Sequence, residues 1–120
     1  MKGRILVVDD SGLARRRARA ILEGAGYEVA EAEDGIAALE RYFVSKPDIV
    51  VLDLVMKGMY GLDVLAKLRE MDPTARVIVV SADVQTSSHE LVAAAGASGF
   101  LVKPVDADQI LQLVRSTLET

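Results

Sequence analysis

Four short apolar runs in this chain each end on polar residues, and these endings differ in chemical kind. Two adjacent carboxylates follow the first run, a third carboxylate follows the second, and a hydroxyl and an ammonium follow the other two. The residues are Asp9, Asp10, Asp53, Ser81 and Lys103. Clustered carboxylates require a proton or a cation between them, and a cation and a hydroxyl suit phosphoryl oxygens. The set therefore predicts a site for one phosphoryl group.

The apolar runs predict the strands that bring these residues together. They cover residues 5–8, 49–52, 77–80 and 100–102 and consist mostly of β-branched side chains. Such runs are typical of strands buried on both faces of a parallel sheet. Ligands of open parallel sheets bind just outside the carboxyl ends of the strands. We therefore expect the polar residues to gather at one edge of a sheet.

Helical patterns fill the spaces between these runs, and an alternating segment at residues 29–32 predicts one more strand. A helix at about residues 84–95 has a weakly apolar stripe and poor helix propensity, so we expect it to be the least stable. The other helices have clear apolar stripes at helical spacing. These stripes are Ala14, Ala18, Ile21, Leu22 and Ala25 after a cap at Ser11; Ile36, Leu39 and Phe43; Val64, Leu65 and Leu68; and Ala107, Ile110, Leu111, Val114 and Leu118 after a cap at Asp106.

The alternation of five strands with five helices predicts a doubly wound α/β fold with right-handed crossovers. A Rossmann dinucleotide fold needs a glycine-rich turn after its first strand, whereas Asp9 and Asp10 stand there and would repel a pyrophosphate. The flavodoxin-like strand order 2-1-3-4-5 instead sets strands 1 and 3 side by side. We therefore predict a five-stranded parallel sheet of that order, with helices on both faces.

Strand spacing indicates what each polar side chain can reach. Neighbouring strands lie about 4.8 Å apart, so Asp53 lies close to Asp9 and Asp10, and their repulsion requires a proton or a cation. Because the ligands are all oxygens, Mg²⁺ is the predicted ion. Ser81 ends the strand next to that of Asp53, where a short hydroxyl suffices. Lys103 ends a strand two places away, about 9.6 Å by the same spacing, which a long side chain can span.

Length and composition predict a single domain over residues 1–120, located in the cytoplasm, with no linker or second domain. The sequence contains no cysteine, which excludes disulfides and thiolate metal sites. No apolar stretch approaches the roughly 18 residues that span a bilayer. The N-terminus leads directly into the first strand, so we expect neither a signal peptide nor a membrane partner. The net charge of −4 argues against direct binding to nucleic acid.

Further marks stand at fixed spacings around the polar endings. They are Pro47-Asp48, Met56 with Gly61, Ser81-Ala82, Gly96-Ala97, Phe100 and Lys103-Pro104. With these marks the chain resembles response-regulator receiver domains, from residue 4 to about residue 118, and is similar to the stand-alone chemotaxis receivers. The strand order 2-1-3-4-5 is known for such a chemotaxis protein, so this part of the fold prediction depends partly on the resemblance.

The resemblance implies a role for each site residue. Asp53 is the phosphoacceptor, and Asp9 and Asp10 hold Mg²⁺ together with Asp53 and the backbone carbonyl of Val55. Lys103 pairs with phosphoryl oxygens, and its bond to the following proline is cis in such proteins. A carboxylate is a competent nucleophile for phosphorus, and a metal ion and a lysine suffice to neutralise charge in an in-line transfer.

The resemblance further implies a phosphorylation switch of a two-component system, not an enzyme with a diffusible substrate. A histidine kinase or a phosphotransfer protein supplies the phosphoryl group. Ser81 then hydrogen-bonds a phosphoryl oxygen, and Phe100 rotates to reshape the face of helix 4, strand 5 and helix 5. A downstream protein reads that face.

Several of these residues also have simpler interpretations. Ser81 can cap helix 4, Phe100 can be fixed core, and His89 is predicted to be a solvated surface residue because no base stands beside it. The arginines at positions 15, 16, 17 and 19 form either a solvated face, with Arg19 paired to Glu23, or a docking surface for the kinase.

Two other functions stay open, together with the alternative that this receiver is cut from a longer regulator. A Mg²⁺-dependent phosphohydrolase of the haloacid-dehalogenase type usually has a second aspartate where Val55 stands, and a pseudo-receiver would lack site residues. The chain also departs from many receivers at Lys57 and Tyr60, where proline and aspartate are common. Val55 and Asp83 stand at the two positions that, in the receivers it resembles, flank the approach of hydrolytic water. An apolar residue facing an acid could shield or attract that water, so the lifetime of the phosphoryl group is left open.

Overall fold

The computed structural model describes residues 2–56, 60–82 and 86–120, and the backbone alone for residues 86–89. Five strands alternate with five helices, as the sequence predicts. The strands are β1 Arg4–Val8, β2 Glu28–Ala32, β3 Ile49–Asp53, β4 Val77–Ser81 and β5 Gly99–Val102. The helices are α1 Gly12–Gly24, α2 Gly35–Ser45, α3 Gly61–Met71, α4 Thr86–Ala94 and α5 Ala107–Leu118.

The strands form one parallel sheet in the order β2-β1-β3-β4-β5, which confirms the predicted fold class. The register brings the carboxyl ends of the strands level with one another. Val8 is paired with Leu52, so Asp9 and Asp53 leave the sheet at the same height. Ser81 is paired with Val102, which sets Lys103 just beyond the same edge.

Side chains of the buried strands alternate between two apolar layers. One layer packs under α2, α3 and α4, and the other packs under α1 and α5. Successive residues of β1 show the alternation, since Leu6 and Val8 belong to the first layer and Ile5 and Val7 to the second. Because both faces are covered, polar side chains of the central strands reach solvent only at the strand ends.

Side-chain caps fix where three of the helices begin. The Ser11 hydroxyl accepts a hydrogen bond from the backbone N–H of Ala14, and the Asp106 carboxylate accepts one from Gln109, at 3.2 and 3.0 Å. Both predicted caps are therefore confirmed. The cap at Asp34, which accepts from Ala37 at 2.7 Å, starts α2 in the same way.

The predicted inward stripe of α2 is wrong at two of its three positions. Ile36 is 68% exposed and Phe43 is 51% exposed, whereas Ala38 and Tyr42 are buried. Ala38 packs in the apolar layer between this helix and the sheet. The Tyr42 hydroxyl donates a hydrogen bond to Asp72 Oδ2 at 2.7 Å, which favours this orientation. An apolar side chain in place of Tyr42 would leave that bond unmade.

The structure describes α4 only from Thr86 to Ala94, within the predicted 84–95. The sequence predicts an inward stripe of Val84, Ser88, Leu91, Val92 and Ala95 for this helix. Val84, the side chains of Ser88 and His89, and the departures at Lys57 and Asp83 lie outside what is described. The prediction is wrong at Leu91, which is 58% exposed. Val92 is a buried residue of this helix. The low stability of α4 stays a prediction.

The orientation of α2 can be tested by truncating two adjacent aromatic residues. We expect Tyr42→Ala to lower the free energy of unfolding by about 3 kcal/mol, because it empties a core position. Phe43→Ala should change it by less than about 1 kcal/mol, since its ring is half exposed. Urea denaturation followed by circular dichroism measures both. Equal losses, or a larger loss for Phe43→Ala, would contradict the orientation.

Candidate functional site

Backbone hydrogen bonds hold the acidic residues at the sheet edge. The N–H of Asp9 donates to the carbonyl of Ala32 at 3.2 Å, which continues the β1–β2 ladder by one residue. On the other side of β3, the N–H of Leu54 donates to the carbonyl of Val80 at 2.9 Å. The two carboxylates at Asp9 and Asp53 are therefore attached to fixed main chain.

The predicted proximity of the three acids is confirmed. One carboxylate oxygen from each of Asp9, Asp10 and Asp53 lies within 4.8 Å of the others. Asp9 and Asp53 are each only 6% exposed, while Asp10 is exposed. A cluster of three carboxylates with one open side suits a hard divalent cation that keeps some of its water.

Lys103 spans the gap from β5 to the acids. Its Nζ lies 2.8 Å from Asp9 Oδ2 and 3.4 Å from Asp53 Oδ2. The backbone N–H of Lys103 donates to the Ser81 carbonyl at 2.9 Å, and the Lys103–Pro104 peptide bond is cis. The side chain thus crosses two strand positions, as the strand spacing predicts.

The charges of this cluster shift its protonation equilibria. The pKa of Asp53 is raised to about 6, first by burial and then by the negative charge of Asp9, while Lys103 opposes both. Burial lowers the pKa of Lys103, but its hydrogen bond to Asp9 and the two carboxylate charges outweigh this, so the pKa lies above the ordinary 10.5. The lysine is therefore a fixed positive charge, whereas Asp53 titrates near neutral pH.

Ser81 and Val55 flank Asp53 on neighbouring segments. Ser81 ends β4 and is 1% exposed. The backbone N–H of Val55 lies 3.4 Å from Asp53 Oδ1 and donates to it, while the Val55 side chain is exposed. The backbone carbonyl of Val55 as a metal ligand stays a prediction, as does the motion of Ser81.

Phe100 lies deeper, on β5, in register with Val79. Its ring is partly buried against the apolar layer under α2, α3 and α4. The position fits both a fixed core residue and a switch, so its rotation stays a prediction.

Gly61 allows α3 to begin directly beside the end of β3. A Cβ at this position would lie 2.6 Å from the Asp53 carbonyl oxygen and from Leu54 Cα. The N–H of Gly61 donates to the Leu54 carbonyl at 2.8 Å. Any side chain at this position would push the backbone that carries Asp53, which explains the need for glycine.

Two arginines contact the site in a way that the sequence interpretation missed. Arg15 Nη1 donates to the Asp9 carbonyl at 2.7 Å, and Arg17 Nη2 donates to the Val105 carbonyl at 2.8 Å. The predicted pairing of Arg19 with Glu23 is confirmed at 3.2 Å, so part of the solvated-face interpretation holds. Glu31 is the sequence feature that could have indicated the Arg15 contact. It is an acidic residue in the short strand β2, and its side chain lies on the side of the sheet that α1 covers.

A cavity of about 450 Å³ opens beside the carboxylates, between α1 and the segment after β5. Asp9, Asp53 and Lys103 form its polar end, and its other walls are mostly aliphatic side chains of the sheet, α1 and residues 104–105. The space beside Asp53 can therefore admit a group larger than a metal ion. None of the described helices is both long enough and apolar enough to cross a membrane.

Comparison with known proteins agrees with this geometry. The family model described as response regulator receiver domain matches residues 5–115. The chemotaxis protein CheY of Bacillus subtilis (strain 168) is 41% identical over 119 residues, which is 98% of this chain and 99% of that protein.

Solved structures give the same result. A CheY-like response regulator receiver domain protein from Methanospirillum hungatei JF-1 superposes with a TM-score of 0.91 at 27% identity, over 97% of this chain and 93% of the other. The CheX–CheY–BeF3–Mg²⁺ complex from Borrelia burgdorferi superposes with a TM-score of 0.89 at 34% identity, over 94% of this chain and 87% of the other.

The raised pKa of Asp53 predicts a pH-dependent stability in the absence of divalent metal. Between 3.8, the ordinary value, and about 6, the folded chain binds more protons than the unfolded chain. The free energy of unfolding therefore falls as pH rises through this window, and the loss is complete above it. We expect Asp53→Asn in EDTA to raise the free energy of unfolding by about 1–3 kcal/mol at pH 8 and by much less at pH 4.

Urea denaturation at the two pH values measures this effect. Glu40→Gln, which removes an exposed acid from α2, is the matched control and should change little at either pH. A gain for Asp53→Asn that is equal at pH 4 and pH 8 would show that charge burial is not its source.

Proposed function

The chain belongs to the response regulator receiver domain family, and we propose that Asp53 is the residue on which it accepts the phosphoryl group. Receiver domains are the phosphoacceptors of two-component signalling and act as switches, not as enzymes that turn over diffusible substrates. They interact with histidine kinases and with downstream targets. We also propose that residues 1–120 form one receiver domain, since the family model matches nearly all of them.

The observation that carries the assignment is the convergence of three carboxylates and one ammonium at the edge of the sheet. Asp53 is the central member. Its Oδ1 accepts from the Val55 N–H and its Oδ2 faces Lys103, so the carboxylate is oriented from both sides. Asp9 and Asp10 each place a carboxylate oxygen within 4.8 Å of one on Asp53, which suits both for holding a cation beside the nucleophile.

The donor set fits Mg²⁺. Asp9, Asp10 and Asp53 would hold the ion together with the Val55 carbonyl, and the bound ion would neutralise charge on the transferring phosphoryl group. The Borrelia burgdorferi complex, which contains Mg²⁺ and BeF3, supports the same ion for this chain.

In the proposed transfer, an ionised Asp53 oxygen forms a bond to the phosphorus of a phosphohistidine. The phosphorus–nitrogen bond breaks, and its electron pair stays on the imidazole, which takes a proton from solvent. Lys103 offsets negative charge on the phosphoryl oxygens during this step. Because the pKa of Asp53 is about 6, the nucleophile is mostly ionised at neutral pH even before a metal ion binds.

The phosphoryl donor is a histidine kinase or a phosphotransfer protein, and we place the exchange in the cytoplasm, where ATP supplies such kinases. The donor helices would dock over the start of α1. Leu13 there is 76% exposed. The net charge of −4 favours a protein partner over nucleic acid.

The output surface is the face of α4, β5 and α5. Exposed apolar side chains at Leu91 on α4 and Val102 on β5 suit a protein partner. Phosphorylation would draw Ser81 toward the phosphoryl group, and Phe100 would turn into the space behind it. The change at Asp53 thereby reaches the partner surface through two adjacent strands.

Chemical phosphorylation tests the acceptor. With Mg²⁺ and acetyl phosphate, the chain should gain one phosphoryl mass that hydroxylamine removes, because an acyl phosphate is labile to it. Asp53→Asn should abolish the gain, and EDTA should suppress it. Intact-protein mass spectrometry measures both. Full phosphorylation of Asp53→Asn would refute the assignment.

A double-mutant cycle tests whether Ser81 and Phe100 form one switch. Ser81→Ala, Phe100→Ala and the double mutant would each be titrated with beryllofluoride, with β5 and α4 followed by NMR, since the chain lacks tryptophan. If the two residues move together, their effects on partner affinity should differ from additivity by more than about 0.5 kcal/mol. Additive effects, or an unchanged Phe100 environment, would mean that Phe100 is fixed core.

A further inference from the structure

We propose that Arg15 is a positioning residue that orients the two acids after β1, and that Glu31 on β2 holds Arg15 in place. The proposal rests on the proposed function of these acids as metal ligands. One of the arginines of α1 would then have a role inside the domain, while others of the set lie on the exposed surface.

The guanidinium of Arg15 is held at two points. Its Nη1 donates to the Asp9 carbonyl at 2.7 Å, and its Nε donates to Glu31 Oε1 at 2.8 Å. The side chains of Arg15 and Glu31 are 18% and 22% exposed. A planar guanidinium with two fixed donors has a defined orientation, which a surface ion pair with one contact lacks.

Glu31 is itself fixed by a second arginine. Arg19 Nη1 donates to Glu31 Oε2 at 2.6 Å, and Arg19 also pairs with Glu23. The hydrogen bond from Arg19, and then that from Arg15, lower the pKa of Glu31. Glu31 therefore stays ionised and accepts from both arginines.

The contact with the Asp9 carbonyl affects both acids at once. This carbonyl belongs to the planar peptide that joins Asp9 to Asp10, so holding it restricts ψ of Asp9 and φ of Asp10, two torsions that set the directions of these side chains. The Asp9 N–H is already bonded to Ala32, and the Ser11 N–H donates to Asp9 Oδ1 at 2.9 Å. These two N–H groups belong to the peptides on either side, and Arg15 holds the peptide between them.

Charge and position predict opposite effects when Arg15 is removed. Arg15 is a cation near a proposed metal site, so the loss of its charge alone should tighten Mg²⁺ binding. Loss of the carbonyl contact should weaken binding, because Mg²⁺ demands near-ideal ligand geometry. The direction of the change therefore separates positioning from electrostatics.

The experiment measures the dissociation constant for Mg²⁺ in the full chain by NMR titration. Arg15→Gln should raise the dissociation constant about tenfold, the usual loss when a group supporting metal ligands is removed. Arg16→Gln removes the same charge from the same helix and should leave the constant unchanged or lower it. Arg15→Lys keeps the positive charge but lacks the two fixed donors of the guanidinium, so it should also weaken Mg²⁺ binding. This variant replaces Arg15→Gln in the test if Arg15→Gln does not fold.

Two further measurements complete the test. A double-mutant cycle would combine Arg15→Gln with Glu31→Gln. Their effects on the dissociation constant for Mg²⁺ should not be additive, because Glu31 acts through Arg15. At saturating Mg²⁺, phosphorylation of Arg15→Gln by acetyl phosphate should approach the parent rate. Weaker Mg²⁺ binding by Arg15→Gln than by the parent would support the positioning role of Arg15, even if neither chain is phosphorylated. The absence of phosphorylation in both would contradict only the proposal that Asp53 is the acceptor. An Arg15→Gln constant equal to or below that of Arg16→Gln, or a parent without Mg²⁺ affinity, would overturn the proposal.

Discussion

The repulsion between two buried carboxylates is the constraint on which this site depends. Asp9 and Asp53 are both almost fully shielded from water, and Lys103 is the cation that bridges them. Removing a charge from water costs free energy unless a partner compensates, and one lysine shared by two acids compensates incompletely. The raised pKa of Asp53 reflects the part of this free-energy cost that Lys103 does not offset. A divalent cation and a phosphoryl group act on this same imbalance, which makes the site responsive to both.

The fold tolerates this imbalance because the remainder of the sheet is apolar on both faces. Strands β1, β3 and β4 are buried along almost their whole length, and their register fixes the heights of Asp9, Asp53 and Ser81. A core of this kind supplies stabilisation that is spread over many side chains. The destabilising charges are confined to one edge, so they do not interrupt the packing beneath them.

The helix caps and the alternation of strands and helices could be predicted because each follows from a local pattern, whereas the strand order was predicted partly through the resemblance to chemotaxis receivers. Buried strands, parallel pairing and strand spacing are enough to bring Asp53 beside Asp9 and to require a long side chain at Lys103. The orientation of α2 could not be predicted, since Ile36 and Phe43 match helical spacing as well as Ala38 and Tyr42 do, and the hydrogen bond to Asp72 that favours Tyr42 joins distant parts of the chain. The contacts of Arg15 are long-range in the same sense, because they depend on how α1 lies over β2.

The two sides of the site differ in how firmly they are held, and this difference gives the proposed switch its direction. On the β1 side, Arg15 and the Ala32 carbonyl hold the backbone of Asp9. On the β5 side, Phe100 is only partly buried, so turning its ring disturbs less packing than moving a fully buried residue would. The response to a phosphoryl group at Asp53 would therefore appear on the β4 and β5 side, where the structure resists it less, and this is the side that faces the proposed partner surface.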